Sequence, residues 1–174
     1  MRCLLDKVTA RHIMEGMLKL VEERTVTSTE LFALYFYQGA RSGKIALFIL
    51  PQTHNLLKRL EHLPRYVVII QHFLEATQVL YPTQYFKRWA RRLREYGFTK
   101  EDAEVLALAT FGTTSSGDIL GMHIIATFDQ PMINRWTAQR TEIQRRLLNM
   151  QQHLGYPYCH VSLPIVEHPE RIQI

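Results

Sequence analysis

Apolar positions along this chain follow two alternating patterns: short unbroken runs of strand length, and longer stretches with helical spacing. Met1–Leu5 is a brief apolar strand that runs straight into Asp6. Residues 8–23 place Val8, Ile13, Met14, Met17, Leu18, Leu20 and Val21 at helical spacing, with Glu and Lys between them, which predicts a first helix. Ser28-Thr29-Glu30 reads as the start of a second, with Leu31, Leu34 and Tyr35 as apolar positions and the SGK turn at 42–44 as its end. Ile45–Leu50 (IALFIL) is a fully apolar second strand. Pro51 suits the first turn of a third helix, carried by Leu56, Leu57 and Leu60 to Leu63-Pro64. Tyr66–Ile70 fits either a buried strand or the start of a helix.

Downstream, Pro82 predicts the opening of an amphipathic helix, YPTQYFKRWARRLREYGF, closed by Gly97 in the C′ position. Thr99-Lys100-Glu101-Asp102 has the S/T-x-x-D/E form of a capping box and introduces the apolar helix AEVLALATF. GTTSSG at 112–117 is a small-residue loop, and Met122–Ala126 is a third strand, ended by Thr127-Phe128-Asp129-Gln130-Pro131. A long amphipathic helix over about 131–153 follows. The tail after Gly155 carries three prolines and one short candidate strand, His160–Leu163. Strands separated by helices imply a parallel sheet covered on both faces. The expected fold is therefore three-layer α/β/α, with a central, mostly parallel sheet of 4–5 strands. Residues 1–155 form the domain, and 156–174 form a tail packed on it or on a neighbour.

Composition narrows the class. The 174 residues, 47% hydrophobic and 21% charged, suit one globular domain and exclude collagen-like or disordered chains. Two cysteines, Cys3 and Cys159, cannot build a disulfide framework and have no zinc spacing, which points to reduced thiols and a cytoplasmic protein. The apolar run before Asp6 is too short for a signal-peptide core, and the longest apolar run, VVII at 67–70, ends at Gln71, so no membrane span is expected. A net charge of +5 favours a polyanionic partner. Nucleotide-cradling glycine loops and serine-hydrolase elbows are missing, and the eight histidines have no metal-ligand spacing.

The acids are more informative. Among sixteen acidic residues only four are aspartates, and two of these, Asp6 and Asp129, directly follow an apolar strand. In open parallel sheets ligands bind outside the carboxyl ends of the strands, so both should face one crevice. Asp102, in the first turn of a helix, is placed to join them. Gathered carboxylates do not all ionise without a cation, and hard oxygen donors suit Mg²⁺ or Mn²⁺. Taken singly, each aspartate could equally be a turn or capping residue.

The stretches RCLLDKV (2–8), LPQTHNLLKRL (50–60), YGFTKEDAEVLALAT (96–110) and MHIIATFDQPMI (122–133) together resemble the PIN domain, a family of metal-dependent ribonucleases. The resemblance spans most of residues 1–135 and rests on the combination of short motifs. It implies that Asp6, Asp102 and Asp129 are the metal-binding and catalytic acids, and that Thr127 is the hydroxyl residue orienting the site. Asn55 stands where that family carries a glutamate, Lys7-Val8 follows the first aspartate where it has a small or amide residue, and 27 residues separate Asp102 from Asp129.

The implied activity is hydrolysis of phosphodiester bonds in single-stranded RNA with Mg²⁺ or Mn²⁺ as cofactor. The alternative is a catalytically weakened relative that binds RNA or a protein without cleaving. An antitoxin-like protein and a second copy of the chain are the further partners the resemblance implies. A signalling receiver domain fits less well, because such domains carry an adjacent acidic pair after the first strand.

For nucleic acid, Lys87, Arg88, Arg91 and Arg92 form a basic helix face, with Lys7 as a further candidate phosphate contact beside Asp6. Phe86 and Trp89 in that helix fit a buried stripe with Ala90 and Leu93, or a platform for stacking bases. Arg135, Arg140, Arg145 and Arg146 give the last helix a similar, more ordinary solvated face.

Overall fold

The computed structural model describes residues 1–118 and 120–173. Its elements run β1 (Arg2–Leu5), α1 (Lys7–Val21), α2 (Ser28–Arg41), β2 (Ala46–Ile49), α3 (Pro51–Leu60), α4 (Val67–Glu75), β3 (Thr77–Val79) and β4 (Tyr81–Pro82). They continue with α5 (Phe86–Arg94), α6 (Lys100–Phe111), β5 (Gly112–Thr113), β6 (Ile124–Ala126), α7 (Gln130–Gln151) and β7 (Ile165–Glu167), with short 3₁₀ turns at Tyr158–His160 and Pro169–Arg171.

Five strands form one all-parallel sheet in the order β3-β2-β1-β6-β7. From β1 the chain steps outward through β2 to β3, then returns to the other side of β1 for β6 and β7. Parallel crossovers are right-handed in nearly all cases, so reversing direction moves the connecting helices to the opposite face. The packing follows that rule. Cys3, Leu5, Leu47, Ile49, Ile124 and Ala126 bury one face of the sheet under Ile13, Phe36, Leu57 and Phe73 of α1 to α4. Leu4, Phe48, Ile125 and Val166 bury the other under Trp89, Leu93, Leu106, Trp136 and Leu147 of α5 to α7. Two cores on the two faces of one sheet make the three-layer α/β/α architecture. Among the described residues no helix is long and apolar enough to cross a membrane.

Helix boundaries follow local chemistry. Asp6, Thr27, Thr99 and Asp129 each accept a backbone N–H at the start of α1, α2, α6 and α7. The ambiguous segment at 66–70 enters a helix: Ile69, Ile70 and Phe73 are buried while Val68 is exposed, a spacing of three and four and not of two. The helix expected to open at Pro82 starts at Phe86, because Tyr81–Pro82 instead pairs antiparallel with Gly112–Thr113 and the Thr83 hydroxyl donates to Phe111 O. The tail's strand is Ile165–Glu167, not 160–163, and it extends the sheet alongside β6.

Candidate active site

The sheet reverses its strand order between β1 and β6, and a crevice opens at the carboxyl ends of those two strands, as the topology requires. Four helix N-termini meet there. The lining comes from Asp6, Lys7 and Val8 at α1, from Leu50, Gln52 and Thr53 at α3, from Glu101, Asp102, Glu104 and Val105 at α6, and from Asp129 and Met132 at α7.

Asp6 is the best-held acid, at 8% exposure. Its Oδ1 accepts the Thr9 backbone N–H at 2.6 Å, and its Oδ2 accepts the Thr127 hydroxyl at 2.5 Å. Burial pushes its carboxyl above the ordinary range, the hydrogen bonds from Thr127 and Thr9 pull it back, and the charge of Asp129 raises it again. Thr127 is fully buried; its hydroxyl also accepts the Asp129 N–H at 3.0 Å, so one oxygen sets both aspartates relative to each other. Asp129 sits at the rim as N-cap of α7, with Oδ1 accepting Met132 N–H at 2.9 Å. Asp102 lies in the first turn of α6, its own N–H bound by the Thr99 hydroxyl at 3.1 Å.

Charge decides what the crevice can hold. Five carboxylates line it against one ammonium, Lys7. That ammonium lies 2.8 Å from Glu101 Oε2, and both side chains are well exposed, so it ties α1 to α6 across the mouth without neutralising the aspartates. Each helix N-terminus carries roughly half a positive charge, and four of them offset about two of the surplus negative charges. An oxygen-only donor set fits Mg²⁺ or Mn²⁺ better than zinc.

Asn55 is exposed on α3 and is not among the residues lining the crevice, whereas Gln52 and Thr53 of the same helix are. Glu104 joins the lining although it is two residues from Asp102 in the helix. Glu104 and Val105 stand three and four residues after Glu101, so the three share one face of α6, with Asp102 at its edge. Spacing counted from Asp102 alone misses Glu104. Among the described residues the group of three whose ligand atoms lie within 4.8 Å of one another is His12, Glu15 and Glu30, and not the crevice acids. Its Glu30 is already paired with the Lys19 ammonium, 2.6 Å from Oε1.

The basic residues lie elsewhere. In α5 the side chains of Trp89, Ala90 and Leu93 are buried, and Trp89 Nε1 donates to the Thr110 hydroxyl at 3.3 Å. Trp89 is thus core, and Phe86, half-buried, packs against the same cluster. Lys87, Arg88 and Arg91 form no ion pair among the described residues, whereas Arg92 is bound to Glu95 at 2.8 Å. On α7, Arg135 donates to Gly97 O, Arg140 donates to Pro164 O and Arg145 pairs with Glu142, all structural uses. Only Arg146 turns toward α5. No family model matches the chain, and no curated protein matches it significantly.

Proposed function

We propose that this protein is a PIN-like, metal-dependent nuclease that hydrolyses phosphodiester bonds of RNA, acting in the cytoplasm. The observation that carries the reading is the group of Asp6, Asp102, Glu104 and Asp129, which line one crevice at the strand-order reversal and form no salt bridge among the described residues. These carboxylates would hold Mg²⁺ or Mn²⁺, which would supply the electrophile that acidifies a water and offsets charge building on the phosphate. The chain's own groups do the positioning. Thr127 and the Thr9 N–H hold both oxygens of Asp6, which leaves its remaining lone pairs directed at the crevice. Asp129 presents its second oxygen while the first caps α7. Hydrolysis adds a water oxygen to phosphorus, breaks one P–O bond and returns a proton to the leaving oxygen; the crevice carboxylates are suited to taking the proton from the attacking water. The unpaired cations of α5, Lys87, Arg88 and Arg91, are suited to holding the rest of the polyanion.

A second reading has its own observation. From α3 the crevice receives only uncharged residues, Leu50, Gln52 and Thr53, so a site of weakened metal affinity would leave an RNA-binding domain without cleavage. Calorimetric titration of Mn²⁺ into the wild type and Asp6→Asn, with single-stranded RNA cleavage assayed on the same samples, separates the two. Micromolar binding and cleavage that vanish together in the variant are expected. Absence of both from the wild type sinks the nuclease reading.

A further inference from the structure

A second cavity, of about 280 Å³, lies between α5 and the C-terminal half of α7, and its chemistry is the reverse of the crevice's. Arg88 and Arg92 enter it from α5, and Arg146, Asn149 and His153 from α7 and the turn after it. Its floor rests on Trp89, which is fully buried and anchored to Thr110. Glu95 organises the cationic wall: one carboxylate oxygen lies 2.8 Å from Arg92 Nη1 and the other 3.0 Å from Arg146 Nη2. The hydrogen bond from Arg92 is the main reason its carboxyl stays below the ordinary range.

Arg88 is exposed, and the other two arginines are partly covered. Arg92 and Arg146 are 37% and 38% exposed, whereas Arg145, one residue away on the outer side of α7, is 73% exposed. A guanidinium has five N–H donors, so each arginine sharing Glu95 keeps donors free, and Arg88 has no partner among the described residues. Three guanidiniums against one carboxylate leave a surplus of two positive charges, which matches a phosphate monoester dianion better than the single charge of an internal phosphodiester. The volume is close to the ~300 Å³ lower end for ligand pockets, enough for a phosphate with its sugar and too small for a peptide segment. Met150 and Leu154 supply an apolar side for the attached ribose or base.

We infer that the α5–α7 cavity is a binding site for a phosphomonoester, the terminal phosphate of an RNA strand or of a mononucleotide. Arg146 lies 17 residues along α7 from Asp129, about 25 Å at helical rise, so this site is separate from the acidic crevice. The choice of RNA rests on the nuclease reading; the phosphate chemistry does not.

The test uses the full chain, with calorimetric titration of adenosine 5′-monophosphate and of a uridine hexamer with and without a 5′-phosphate. The phosphorylated hexamer should bind at least tenfold more tightly than its 5′-hydroxyl counterpart. The double variant Arg88→Gln/Arg146→Gln should lose that preference while retaining Mn²⁺ binding, and Arg146→Lys should keep part of it, since charge survives and the two-pronged contact does not. The mononucleotide binding as tightly as the phosphorylated hexamer supports the site and names a free nucleotide as its ligand. Equal affinity for the two hexamers together with no binding of the mononucleotide overturns the inference. So does a preference unchanged in the double variant. Loss of Mn²⁺ binding by the wild type with the phosphate preference intact removes the nuclease reading and leaves this one standing.

Discussion

Asp129 has two separable tasks, and one pair of substitutions divides them. As N-cap of the 22-residue α7 it accepts the Met132 N–H at 2.9 Å, beside a side chain that is 4% exposed. As a crevice acid it adds negative charge that pushes the Asp6 carboxyl upward. Asn keeps the capping oxygen and removes the charge, whereas Ala removes both. Losing an N-cap acceptor costs about 1 kcal/mol. For a domain of this size that lowers the melting temperature by roughly 2–4 °C. Without added metal, Asp129→Asn should therefore melt at or above the wild-type temperature, and Asp129→Ala a few degrees below it. Mn²⁺ at about 100 times its dissociation constant stabilises a binding protein by about 2.7 kcal/mol. The wild type should shift upward accordingly and both variants far less. Differential scanning calorimetry with and without Mn²⁺ reads all six values. If Asp129→Asn falls as far as Asp129→Ala, the carboxylate charge is stabilising and the crevice has no need of a cation. If both variants keep the full Mn²⁺ shift, Asp129 is not a ligand.

Two further outcomes test the packing. Burial alone would raise the Glu30 carboxyl, but the bonds from Lys19 and Thr27 outweigh it and hold it at about 2, below its ordinary 4.5. A group more acidic folded than unfolded contributes its full stability above pH 4.5 and loses it as the pH falls toward 2. Glu30→Gln can preserve the capping box with Thr27 while losing the charge-assisted bond to Lys19, so it should cost roughly 1.5–3 kcal/mol at pH 7. The gap between the melting curves of the two proteins should narrow below pH 4.5 and close as the pH falls to about 2; a constant gap across pH would refute the ion-pair account. At Gly112 an added Cβ would run into the carbonyl oxygen of Leu108 and come within 2.6 Å of Leu80 Cγ, at the junction of α6 and β5. Gly112→Ala should lower stability by about 1–3 kcal/mol in urea denaturation. Gly155→Ala, with nothing within 4 Å, should be near neutral, and equal effects would show that contact is not the cause.

The apolar runs at Met1–Leu5, Ile45–Leu50 and Met122–Ala126 were legible as strands because a strand buried on both faces has no polar alternation to hide it. The aspartates that follow two of them, and the Thr99 cap before Asp102, could be read locally for the same reason: strand ends and helix starts are written in a few adjacent residues. Short edge strands are not. Thr77–Val79 and Ile165–Glu167 have three residues each and exist as strands only through pairing with β2 and β6.

Local pattern thus determined the layered α/β class, the three central strands and the candidate acids Asp6, Asp102 and Asp129. Only the tertiary structure decided which side chains share a volume. It set Gln52 and Thr53 at the rim, and it brought Glu104 to the same crevice as Asp102. It also joined Arg92 to Arg146 through the single carboxylate of Glu95, with Arg88 lining the same cavity. The physical reason is range. Caps and periodicity act within a turn or two of the chain, whereas a pocket is made by elements dozens of residues apart, and their relative placement follows from the strand order and from the two cores that the sheet separates.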